Sequence, residues 1–441
     1  MQWSLVGSEM CIRDRIFFII SCSYEKYESS DQPPLAGECV NGFSTYTING
    51  EDVQFECNDY DLVGYVSLEQ MDADSGNDCW GWTDPLTGKE YALMGLDNGT
   101  GIIDISDPFN PNYLGKIPTA TLSSTWRDVK VFKDHAFIVS EAAGHGMQIF
   151  DLSKVRDVIE TQEFQPDLVY EGYGHSHNIA INTETGVAYT AGTGTSRNPR
   201  GIHAVDISEP LSPNLLIEYP EFGYTHDAQI VIYNGPDEDH RGKEIYVGSN
   251  EDRVVFVDIS DKSNPILISE FFYDHQYTHQ AWLTEDHRFL LMGDELDEID
   301  NSGALVNKTR TIVIDLQNMD EPKRHFDYVS ETDAIDHNGY VKGSKFYLAS
   351  YTSGLRVIDI LNIGQRSIQE IGYFDTYPHD SHSNGVANNQ RSGDPGGHDG
   401  NKGHNSPFFN GAWSVYPYFQ SRNIIISDIN LGLFIVRKST N

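Results

Sequence analysis

One short segment returns along the whole chain and limits what it can fold into. Its form is an apolar run, then Asp, then Ile or Leu, with a turn behind. It stands at GIIDISDPFNP (101–111), GMQIFDLS (146–153), GIHAVDISEPLSP (201–213), VVFVDISDKSNP (254–265), TIVIDLQ (311–317) and GLRVIDI (354–360). A seventh copy, GLFIVRK (432–438), carries Arg437 where the others carry Asp. The aspartates are Asp104, Asp151, Asp206, Asp258, Asp315 and Asp359, a period of about 50 residues, which indicates a solenoid, a propeller or an array. Each unit holds short β-rich runs and no helix-period segment, and four short strands per unit make one propeller blade. The repeated Asp reads as blade architecture, its carboxylate capping the following turn.

A second element repeats in phase ahead of the first: CWGWTDP (79–85), RDVKVF (127–132), HNIAIN (177–182), HDAQIVI (226–232), HQAWLT (279–284), HNGYVK (337–342) and NGAWSV (410–415). Its first residues align as Cys79, Arg127, His177, His226, His279, His337 and Asn410. This element is assigned as the innermost strand of each blade, the Asp segment as the third, and runs such as NYLGKIP and ILISEFF as the outer strand. The chain ends on a third strand and begins with an unpartnered outer-type strand, Leu62 to Ser67. Pairing the two removes the open sheet edge. The expected fold is therefore all-β: a seven-bladed β-propeller over 59–441, with the N-terminal strand closing the last blade and an insertion loop at 379–407.

The rest of the chain reads as export and tether. Residues 1–22 combine an artefactual start, containing Cys11, with the tail of a lipoprotein signal peptide: Arg15, the apolar run Ile16 to Ile20, then Ser21 before Cys22. Cys22 is the expected lipid anchor. No segment approaches the ~20 apolar residues of a membrane span, so any membrane attachment is through that anchor. Residues 23–36 are polar with Pro-Pro and read as a flexible tether. Residues 37–58 hold an Asn49-Gly50 hairpin signal between Cys39 and Cys57, a plausible disulfide in an oxidising compartment. The net charge of −36 argues against a nucleic-acid partner. Solubility in a salty habitat accounts for it as well as cation binding does.

At this point a family resemblance emerges. The Asp strands resemble LVIVD repeats. The runs WGWTDPLTGKEYALMGLDNGTGIIDIS, WRDVKVFKDHAFIVSEAAGHGMQIFDLS, YTHQAWLTEDHRFLLMGDELDE, FNGAWSVYPYF and SDINLGLFIV resemble the choice-of-anchor B family from about Cys39 to Val436. The resemblance implies an exported bacterial protein at the cell surface, outer membrane or periplasm, and no particular reaction.

Inner-strand first residues converge on one mouth of a propeller's channel. The candidate binding set is Cys79, Trp80, Arg127, Asp128, His177, Asn178, His226, Asp227, His279, Gln280, His337, Asn338 and Asn410. His177, His226, His279 and His337 form a candidate transition-metal ring, since imidazoles beside oxygen ligands suit such ions. Duplication alone also explains a recurring His, and Arg127 would repel a cation. The acidic run Asp294 to Glu298, with Asp300, is a calcium candidate lacking the spacing of a calcium loop, and a solvated loop accounts for it more simply. His379, His382, His398 and His404 in the insertion offer a loose metal site or a mobile loop. Trp80, Trp82, Trp126, Trp282 and Trp413 either form a ligand platform or pack between blades. Gly192 to Arg197 is a Gly-rich loop with no helix behind it, and no catalytic signature stands in its proper context. The first functional reading is thus a non-enzymatic, monomeric surface module binding a glycan, peptide or protein. The second is a metal-binding protein or metal-dependent enzyme using the His ring.

Overall fold

Apolar runs dense in Val, Ile, Leu and aromatics mark strands covered on both faces, and the central strands behave so. Glu90–Leu96 and Glu244–Ser249 are buried along their whole length. Outer strands such as Asn214–Tyr219 alternate toward solvent. A computed structural model describes residues 37–48, 50–193, 201–379 and 406–440. The proposed artefactual start, the anchor Cys22, the tether 23–36, the insertion histidines His382, His398 and His404, and residues 194–197 of the Gly-rich loop lie outside the described residues.

Among the described residues the strands form seven sheets, antiparallel apart from one short added strand. Six blades are each wound from one stretch of chain. The remaining sheet is composite: Ala412–Tyr416, Ile424–Asp428 and Gly432–Lys438 are completed by Tyr60–Ser67. Leu433 pairs with Val66 and Val436 with Leu62. The inner strands lie against one another in chain order, and Ala412–Tyr416 lies against Gly76–Thr83, which closes the ring of an all-β propeller.

The repeated aspartates act as turn caps. Asp104, Asp151, Asp206, Asp258, Asp315 and Asp359 each accept a hydrogen bond from the backbone N–H two residues on, at 2.8–3.0 Å. This satisfies an N–H that the strand end leaves unpaired. Between third and outer strands a β-bulge recurs, for example at Phe256/Val257 and Val313/Ile314, adding twist to each blade.

The docking place of the expected hairpin and one further short strand were not foreseen. The hairpin Cys39–Val40, Phe43–Ile48 and Glu51–Asn58 docks on the outer edge of Ser367–Phe374, through Asn58 opposite Tyr373 and Cys57 opposite Phe374. Cys39 and Cys57 form a disulfide with Cα atoms 5.9 Å apart. Phe55 of this hairpin packs edge-on against Phe434 of the closing sheet at 5.3 Å, so the hairpin also buries the seam of the ring. Separately, Gln162–Glu163 adds a short parallel strand beside Asn112–Pro118. It passes so close to Gly115 (φ +134°) that a Cβ there would sit 1.7 Å from the Gln162 carbonyl oxygen.

Candidate functional site

On one side of the channel the imidazoles of His177, His226, His279 and His337 follow one another with ring centroids 4.1, 4.4 and 4.2 Å apart. Trp413 continues the arc 4.7 Å from His337. Arg127, Asp128, Asn178 and Asn338 join them around a cavity of about 20 Å³, room for one water molecule or ion.

Two expected members fall elsewhere, because their blades carry no His at the strand start to fix the repeat alignment. The extra residues at Gly76/Cys79 put Asn77 and Asp78 at the axial positions, and Asp78 lines the cavity. Cys79 instead points into the packed core beside Ser427, and burial raises its thiol pKa. In the composite sheet the bulge at Ala412/Ser414 gives Trp413 the place expected for Asn410. Asn410 bonds to the Pro407 carbonyl and to Asn430. Trp80, Asp227 and Gln280 lie further along the inner strands and line a second cavity. Of the other tryptophans, Trp126 lines the small cavity, Trp282 the second, and Trp82 stacks on Tyr91.

The hydrogen bonds fix how the histidines present themselves. The Nδ1 atoms of His226 and His337 face the backbone carbonyls of His279 (3.1 Å) and Trp413 (2.5 Å). A carbonyl only accepts, so both Nδ1 atoms carry the proton and both Nε2 atoms present lone pairs. Burial holds His226 and His279 well below the ordinary imidazole range and His337 at about 3, so all three are neutral at neutral pH. His177 Nδ1 instead meets Glu141 at 2.6 Å.

One neighbour of the histidines is not marked by the sequence. Glu295 belongs to the acidic run expected to be solvated, yet that run turns inward: Asp294 and Glu298 are buried, and Glu295 is pushed up to about 7 by burial, against a hydrogen bond from Tyr351. His279 Nε2 lies 3.8 Å from one oxygen of Glu295, and His337 Nε2 lies 3.8 Å from the other. The three donor atoms lie within 4.8 Å of one another, close enough to share an ion. The signal available was its position: an acid directly after an inward-turning second strand, Phe289–Asp294. Asp300 stays on the surface, capping its own turn through Ser302. The one insertion histidine that is described, His379, contacts Glu56 on the outer hairpin.

The second cavity is larger, about 200 Å³. The two cavities share a wall: Lys130, which lines the larger, bonds to Asp78 (3.1 Å) and Asp128 (2.5 Å), which line the smaller. Burial alone would raise Asp78, but Lys130 holds it below the usual carboxylate range. Asp128 is raised by burial and by its neighbour Asp78.

The LVIVD repeat model matches residues 89–119 and 241–272. The chain is a β-propeller with LVIVD repeats. Among solved structures it is similar to Kuenenia stuttgartiensis hydrazine synthase (10% identity, 80% of this chain and 93% of that one, TM-score 0.49). It is also similar to the Cps50 (Swd1) β-propeller domain of Myceliophteria thermophila (10% identity, 79% and 94%, TM-score 0.46). A third is a protein from Lactobacillus plantarum (13% identity, 68% and 83%, TM-score 0.45). No curated protein matches the chain.

Proposed function

We propose that this protein is an exported, surface-anchored propeller whose centre binds a transition metal through His279, His337 and Glu295. One observation carries the reading: two neutral imidazole Nε2 atoms stand 3.8 Å from the two oxygens of one half-buried carboxylate. Two histidines and a carboxylate with open positions suit zinc or ferrous iron. Tyr351 and the Trp413 carbonyl orient two of the three ligands from behind, as the outer partners of metal ligands do. Counting the composite sheet as a blade makes the ring seven-bladed. The Cys39–Cys57 disulfide supports an oxidising, extracytoplasmic location, and Cys22 supplies the lipid anchor. Membership of the choice-of-anchor B family would unite these features.

The experiment is elemental analysis of protein purified without chelator or a metal-affinity tag. About one equivalent of a transition metal, lost in a His279→Ala, His337→Ala double variant, is the expected result. Less than a tenth of an equivalent, with no uptake on reconstitution, overturns the reading. A second reading, a metal-free module whose channel binds a glycan, peptide or protein, is favoured by Arg127. Its guanidinium lines the same cavity, 2.9 Å from His145, and remains a cation with its pKa lowered to about 10 by burial.

A further inference from the structure

The larger cavity has a composition that the metal reading does not use. Four aromatic side chains line it: Trp80, Trp282, Tyr340 and Tyr418. Trp80 and Trp282 each meet Tyr340 edge-to-face, at 5.8 and 4.8 Å, so their rings are held as fixed walls. Tyr418 is fixed by its hydroxyl, which donates to the Val341 carbonyl at 3.0 Å. Trp80, Trp282 and Tyr418 are only part-buried, so the cavity opens to solvent. Its volume of about 200 Å³ lies below the ~300–1,000 Å³ of drug-sized pockets, which restricts the ligand to a single ring.

Charge narrows the class. An organic cation would compete with the Lys130 ammonium, which already sits 4.7 Å over the Trp80 ring. An anion would meet Asp227 in the cavity wall, within a protein of net charge −36. The remaining class is a neutral ring that offers C–H faces to aromatic walls and hydroxyls to a few polar groups. Gln229 and Thr183 stand at the rim to meet those hydroxyls. Gln229 uses its carbonyl oxygen on the Leu283 N–H at 2.8 Å, which leaves the amide N–H₂ as the part that can face a ligand.

We infer that the aromatic-walled cavity on the far side of the Lys130 wall is a binding site for one neutral pyranose unit. It is independent of the metal site proposed at the histidine end.

The test is a titration of the full chain with glucose, galactose, mannose and N-acetylglucosamine to tens of millimolar, read by tryptophan emission. Choline and benzoate serve as charged controls. A saturable change with at least one neutral sugar is expected, with no response to either control. Trp282→Ala should weaken it at least tenfold, and Trp282→Phe, which keeps the wall and the packing on Tyr340, should weaken it less. Repeating the titration with a chelator separates the two sites: sugar binding should persist whether or not metal is found. No response to any of the four sugars, a response to choline or benzoate instead, or sugar binding indifferent to both Trp282 variants would each overturn the inference.

Discussion

His337 donates its Nδ1–H to the backbone carbonyl of Trp413, 2.5 Å away across the junction between two sheets. The bond settles the tautomer of His337 and turns its Nε2 toward Glu295. Glu295 is held in turn by Tyr351, whose hydroxyl donates to it at 2.7 Å. Removing that hydroxyl leaves His279, His337 and Glu295 in place but frees the carboxylate to rotate. Tyr351→Phe should therefore lower metal affinity about 10–100-fold, the usual effect of losing an outer partner. Competition with a chromogenic chelator measures it. An unchanged affinity would place the metal, if any, away from Glu295.

The seam of the ring is the place where folding depends on both chain ends. Phe434 is fully buried and touches Tyr65 of the closing strand, Phe55 of the hairpin and Phe374 of the neighbouring blade. Phe434→Ala removes contacts to three separate segments at once, and a large aromatic deleted from a packed core costs about 3–5 kcal/mol. Urea denaturation should show a loss of that size. A loss below about 0.5 kcal/mol, the usual surface range, would mean that the seam is not closed by these contacts.

The disulfide acts beside the same seam. Cys39 and Cys57 close a loop with a sequence separation of 18, for which chain entropy gives about 3 kcal/mol. The paired Cys39→Ser, Cys57→Ser substitution should lower stability by about 2–4 kcal/mol. Its effect should overlap with that of Phe434→Ala, because residues in contact do not act additively. A triple variant whose loss equals the sum of the separate losses would show that hairpin and seam are energetically independent.

What the sequence revealed, and what it hid, follows from where each signal lives. The Asp turn caps recur with fixed local spacing, so the blades could be read directly: Asp104 and Asp258 do the same thing to the residue two ahead. The pairing of Leu62 to Ser67 with the last strand was legible because an edge needs a partner. The axial alignment was less so. The first and last blades carry no His at the strand start to mark the register, so the repeat alignment sets Cys79 where Asn77 and Asp78 stand, and Asn410 where Trp413 stands. Glu295 was hidden for a different reason. A run of five residues with four acids reads as a solvated loop, and only tertiary packing turns it inward beneath Tyr351. The aromatic cavity was half visible: the tryptophans were singled out, but Tyr340 and Tyr418 come from different blades and share no local pattern.

The buried acids make stability depend on pH in a direction opposite to the usual carboxylate. Asp428 is fully buried, and burial raises its pKa to about 6 despite hydrogen bonds from Thr376 and from the Asn430 and Leu431 N–H groups. In the unfolded chain the same carboxyl titrates near ~3.9. Between about 4 and 6 the folded state therefore binds more protons than the unfolded one, and stability falls as pH rises through that window. Above about 6 both states are ionised and the slope from this group vanishes. Asn at 428 keeps a carbonyl oxygen to accept from Asn430 and Leu431 and carries no charge to bury. Asp428→Asn should thus flatten the stability profile between pH 4 and 6 by about 1–3 kcal/mol relative to the parent, an order set by about 1.4 kcal/mol per pKa unit. Urea midpoints measured across that range decide it. A parent protein whose stability rises from pH 4 to 6, with the variant following the same curve, would show that Asp428 is ionised in the fold throughout.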